Sequence, residues 1–296
     1  MQVTGDNGSN WVKYEKFPGV PDMTMLSDVH ASPNDTDTVY AAFNDYLRGN
    51  FKPYLLKSTN RGKDWTSIAG DLPQNHSVWS VVEDLVNKNL LFAGTEFGLY
   101  ASFDGGRKWM RWSNGLPTVA VDDIVIHPRE RDLIVATHGR SIYLLDGIQL
   151  LEQWNARSLA DTVQFAPPRA AWAYYPRTIG GKWGQRDWLG KNPPFGAWFD
   201  YFLPRKLDGE VSIAVADSAG HAVRTLSGPG EAGFHRVVWD LVPGEPRDRI
   251  RRDEWAGQPQ YAAPGVYKVT LTAGKAAPRS RTVEIKAVPG TYPKGL

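Results

Sequence analysis

The chain has 296 residues, of which 42% are apolar, 12% aromatic and 22% charged, a balance that excludes a disordered tail or a collagen-like rod. With no Cys, disulfides, thiolate metal sites and a Cys nucleophile are all excluded. The net charge of +2 divides unevenly: residues 1–150 hold 14 Lys+Arg against 18 Asp+Glu, and the remainder holds 20 against 14, which supports a domain boundary near residue 150. The basic excess is dispersed except at Arg247, Arg249, Arg251 and Arg252, which read as a solvated loop and not as a nucleic-acid patch. No apolar stretch reaches the length of a membrane span, and the polar opening Met1–Asp6 is unlike a signal peptide.

A turn recurs along the first half. Ser102–Trp109 fits S-x-D-x-G-x-x-W, Ser58–Trp65 fits it with Asn60 in the Asp place, and Thr4–Trp11 fits it with Thr for Ser. The pattern encodes a compact turn in which the Asx side chain accepts backbone N–H bonds, Gly takes a positive φ and Trp packs its ring on a sheet. Starts at 4, 58 and 102 give spacings near the length of one four-stranded propeller blade. Strand signals fall in a fixed order between the turns: Leu26–His30, Thr38–Phe43 and Tyr54–Lys57; then Val78–Val82, Leu90–Gly94 and Leu99–Ser102; then Val121–Ile126, Asp132–Ala136 and Ser141–Leu145. Residues 1–150 therefore predict an incomplete β-propeller of about three blades plus a strand.

Residues 151–206 read as an aromatic-rich connecting segment, in which Trp183, Trp188 and Trp198 serve either as a sugar-stacking platform or, more simply, as packing. From 207 to 296 strands return, with Val211–Val215, Ala222–Leu226, His235–Trp239, Gly265–Leu271 and Arg281–Ile285 predicting an Ig-like β-sandwich. The whole chain is thus expected to be all-β.

These residues carry a resemblance. The turns at 4–11, 58–65 and 102–109 resemble the Asp-boxes (BNR repeats) of sialidase-like and sortilin-like propellers. Ala136–Tyr143, Asn192–Ala197, Val237–Leu241 and Ala263–Val269 are similar to the C-terminal part of bacterial "glycosyl hydrolase-like" proteins with sortilin-type propellers. The resemblance implies a secreted or periplasmic location, although no signal peptide is visible. An opening blade that begins partway through also implies an open propeller edge, which a second copy in a homo-oligomer or the C-terminal domain is expected to cover.

Standard catalytic signatures are absent, and the six histidines form neither an i,i+4 pair nor an H-x-H cluster, which argues against zinc. Propeller topology places the second-to-third and fourth-to-first loops on the end opposite the repeated turns. Asn44, Asp45, Glu96 and Asp122 then offer oxygen ligands for a hard cation such as Ca²⁺, with His138 and Glu96 as catalytic residues and His138 the general base toward water. Arg48, Arg140 and His76 are the expected substrate-binding residues. One function built on this rim is hydrolysis of a lactone or ester, for example an acyl-homoserine lactone, and the other is non-catalytic binding of a carbohydrate or peptide. Glycoside cleavage fits less well, because the Arg cluster and Tyr/Glu pair of sialidase-type sites are missing. Each residue also has a plainer role: His138 and Arg140 as turn and blade-tying residues, Asp122 as a strand cap.

Overall fold

The computed structural model describes residues 1–154, 162–174, 192–244 and 261–289, and the chain divides into two units, Met1–Ser158 and Leu159–Leu296. Trp183, Trp188 and the arginines at 247–252 lie outside the described residues.

The first unit is a series of antiparallel sheets. β1 (Gln2–Val3) and β2 (Val12–Lys13) flank the first repeated turn and pair with each other. β3 (Met25–Ala31), β4 (Val39–Asp45), β5 (Asn50–Ser58) and β6 (Thr66–Ser67) form a four-stranded meander. β7 (Val78–Glu83), β8 (Leu91–Thr95), β9 (Gly98–Ser102) and β10 (Met110–Trp112) form a second. β11 (Val121–Ile126), β12 (Leu133–Thr137) and β13 (Ile142–Leu145) form a three-stranded third, followed by the short helix α1 (Gln149–Glu152). The all-β class and the propeller-type blade order expected from the sequence are therefore present.

Local pairing explains the order, because each strand returns on its neighbour through a short turn. Tyr40, Ala42, Leu55, Ile68 and Leu72 of the first sheet region pack with Val78, Val81, Leu91, Ala93, Tyr100 and Trp109 of the second. The innermost strands also bond directly: Ser27 Oγ donates to Val78 O at 3.0 Å, Val81 N–H donates to Asp28 Oδ2 at 2.8 Å, and Ser32 Oγ donates to Glu83 Oε1 at 2.9 Å. These three bonds advance together along β3 and β7, so the two strands run in the same direction. β11 also packs on β7.

The repeated turns share one geometry. Asn7 and Gly8, Arg61 and Gly62, and Gly105 and Gly106 all take positive φ, and the Gly8, Gly62 and Gly106 amides each donate at 2.8–2.9 Å to the hydroxyl of Thr4, Ser58 or Ser102. Trp65 and Trp109 are buried as the pattern predicts, whereas Trp11 is 57% exposed. Its ring lies over its own turn, where Nε1 donates to Gly8 O.

The second unit is a two-sheet sandwich. β14 (Gln164–Phe165), β15 (Ala171–Ala173), β16 (Ala197–Leu203), β17 (Val211–Ala216), β18 (Ala222–Gly228), β19 (Gly233–Trp239), β20 (Gly265–Ala273) and β21 (Arg279–Ala287) sort into the orders β14-β16-β19 and β15-β21-β20-β17-β18. Phe165, Phe199, Tyr201 and Trp239 from one sheet and Val211, Ile213, Val269, Leu271 and Ile285 from the other share one core. Part of the segment read as connecting thus supplies three of the eight strands among the described residues of this unit. β16 is buried throughout Ala197–Phe199, alternates buried and half-buried residues from there to Leu203, and pairs with β19 over seven residues. Trp198 is buried with Arg169 and Arg236 over its ring and donates from Nε1 to Pro194 O, so it packs the sandwich and offers no stacking platform.

Candidate functional site

Register decides which loops share an end. Met25 pairs with Asn44, Val78 with Thr95 and Val121 with Thr137. Loops 46–49, 96–97 and 138–141 therefore emerge together, opposite the turns at 58–65 and 102–109.

In the first loop β4 ends at Asp45 and a 3-10 turn, Tyr46–Arg48, closes on Gly49 at φ 71°. Arg48 Nε donates to Asp45 Oδ1 at 2.6 Å, and its Nη atoms reach Asp22 O at 2.9 Å and Thr24 Oγ1 at 3.0 Å. Asn50 Nδ2 occupies Asp45 Oδ2 at 2.9 Å. Arg48 foremost, with Asn50, holds the Asp45 carboxyl below the ordinary carboxylate range. Asn44 Oδ1 accepts from Tyr46 N–H.

A tryptophan joins the first loop to the second. Trp79 Nε1 donates to Glu96 Oε2 at 2.9 Å while its ring centroid lies 5.4 Å from that of Tyr46. His76 packs against Phe97 at 5.0 Å and Tyr100 at 5.7 Å. Burial, with the charge of Arg111 second, pushes the His76 imidazole below its ordinary value. That shift disfavours the cationic form of the ring. Arg111 bonds Phe97 O and Thr118 Oγ1.

On the third loop His138 Nδ1 stands 3.3 Å from Asp122 Oδ2, with its side chain 83% exposed. The His138 amide donates to Ala120 O, and Gly139 and Ser141 take φ near 73° and 72° to turn the chain. Arg140 is exposed.

The structure thus pairs Asp45 with Arg48 and Asp122 with His138, and links Tyr46 through Trp79 to Glu96. It does not gather the four expected cation ligands. Both Asp45 oxygens, Asn44 Oδ1, Glu96 Oε2 and Asp122 Oδ2 bond within the protein, and among the described residues no group of three His, Asp or Glu is placed to hold a metal. Sequence reasoning missed Tyr46, Trp79, Phe97 and Arg111; a large aromatic in a loop otherwise built of turn residues was the available signal for Tyr46 and Phe97.

No family model matches the chain, and no curated protein does. Among solved structures it is similar to an ancestral GH74 enzyme (17% identity, TM-score 0.36, 76% of this chain and 28% of that one). PorZ, a surface component of the type-IX secretion system of Porphyromonas gingivalis, is similar at 14% identity and TM-score 0.36, over 95% of this chain and 41% of that one. YCF48 bound to D1 peptide gives 13%, TM-score 0.37, and coverages of 76% and 61%. The chain spans less than two thirds of the length of each.

Proposed function

We propose that the first unit is a ligand-binding module of propeller type, with the rim of loops 46–49, 96–97 and 138–141 as its binding surface. The observation that carries this reading is the exposure of Tyr46, Leu47, Phe51 and Phe97, with Leu47 at 79%, on an end of the unit that also carries the exposed Arg111 and Arg140. Exposed apolar side chains gathered on one surface mark interaction sites. Aromatic faces suit sugar rings and arginines suit carboxylates, so the ligand class is an anionic carbohydrate or an acidic peptide. An array of such glycans and peptides, probed with the intact chain, tests the reading. Retention of members of one of these classes is expected, and an array without a binder overturns it.

The His138–Asp122 pair favours a second reading, an esterase or lactonase in which Asp122 orients the imidazole and His138 takes a proton from water. Turnover of a lactone and aryl-ester panel that His138→Ala abolishes would support it, and a panel without turnover removes it. A secreted or periplasmic location belongs to the proposal and rests on the sequence resemblance alone. No described helix is long and apolar enough to cross a membrane.

A further inference from the structure

The opposite end of the first unit holds an open cavity of about 460 Å³. Phe103 and Trp154, which meet edge to face at 4.6 Å, form its apolar wall, and Asn87, Lys88, Asn89 and Glu152 are among its polar lining. Behind that lining lies a local excess of carboxylates. Arg131 Nη2 donates to Asp84 Oδ1 at 3.1 Å and to Glu152 Oε1 at 2.6 Å, so one guanidinium serves two acids. The other Asp84 oxygen accepts from the Val86 and Asn87 amides. Glu83 is buried beside them and bonded by neutral donors, Tyr40 OH at 2.5 Å, Ser32 Oγ at 2.9 Å and Asn34 Nδ2 at 2.6 Å.

Burial first, opposed in part by the charges of Asp28 and then Glu83, holds the His30 imidazole below its ordinary value, which disfavours its cationic form. Lys88 is exposed. Among the described residues Asp84 and Glu152 therefore share one half-buried cation, Arg131, Glu83 beside them is held by neutral donors alone, and Glu152 Oε2 has no hydrogen-bond partner.

We propose that this cavity binds one cationic side chain or alkylamine, an ammonium or guanidinium on an aliphatic stem, with its head on Glu152 Oε2 and its stem against Phe103 and Trp154. The amide-rich lining suits the polar flanks of such a ligand, but the charge selects a cation over a neutral sugar. Burial first, then the charge of Asp84, pushes the Glu152 carboxyl up to about 7 against the opposing effect of Arg131. A bound cation favours the ionised carboxylate, so binding strengthens as pH rises through that value.

The test is a ligand-observed NMR titration of the intact chain with acetyl-Gly-Arg-Gly-amide and its norleucine counterpart, at about pH 5.5 and about pH 8, on either side of the Glu152 carboxyl. The arginine peptide is expected to bind at the higher pH, and to bind about tenfold more weakly at the lower pH and to Glu152→Gln. Lys88→Glu, a surface change that leaves the fold intact, is expected to tighten binding by roughly threefold, and it decides the matter should Glu152→Gln fail to fold. Absence of binding at the higher pH, equal binding of the norleucine peptide, or binding that neither substitution alters would overturn the proposal.

Discussion

Gly94 shows how little room the stacked sheets leave. A Cβ there would lie 2.4 Å from Ser80 Oγ and 2.5 Å from Val121 O, where β8 passes the start of β11. Gly94→Ala is therefore expected to cost about 2 kcal/mol, the scale of an overpacked core, read as a fall in the denaturation midpoint. Glu152 gives a second expectation at this scale. Its folded pKa is raised, so the folded state holds the proton more tightly, and this contribution to stability is full below the ordinary carboxylate range and lost as pH rises to about 7. Glu152→Gln should consequently stabilise the chain at pH 8 relative to wild type and leave it little changed at pH 4, as thermal melts at the two values would show. The repeated Asx, Gly and Trp residues were legible in the sequence because each turn closes on itself within eight positions. The group of Glu83, Asp84, Arg131 and Glu152 was not, since its bonds join residues 21 to 51 positions apart.

Among the elements, the repeated turns differ in burial while sharing a backbone. Ser102 is fully buried, and its hydroxyl accepts from the Gly106 amide at 2.9 Å, whereas Thr4 is half-buried and the corresponding bond is only partly covered. Ser102→Ala leaves a buried N–H without a partner and is expected to cost about 1–3 kcal/mol, against a few tenths for Thr4→Ala, where water can replace the hydroxyl. Equal losses in urea unfolding would contradict that difference. The meander strands were legible because consecutive strands pair through short turns. β14, β15 and β16 were harder to place, because β16 pairs with β19 across more than 30 residues and β15 lies parallel to β21 across more than 100. The rim was read from topology alone, which placed its loops on one end but could not show that Arg48 is spent on Asp45 or that Trp79 holds Glu96.

At the scale of the whole chain, the third sheet leaves an apolar face open. Val125, Ile134 and Leu144 lie opposite one another across β11, β12 and β13, with Ile142 beside them, and Ile142 and Leu144 are each 60% exposed. The homo-oligomer expected from the sequence predicts that light scattering of the intact chain will show concentration-dependent association, and that Leu144→Asp will abolish it. A monomer at every concentration would remove that expectation. The rim as a binding surface is tested most directly by the affinity of a ligand retained on the glycan and peptide array, measured for wild type and for a folded Tyr46→Ala/Phe97→Ala variant. A loss of at least about tenfold in the variant is predicted, the effect of removing two exposed aromatic contacts. Unchanged affinity would place the ligand elsewhere and contradict the assignment.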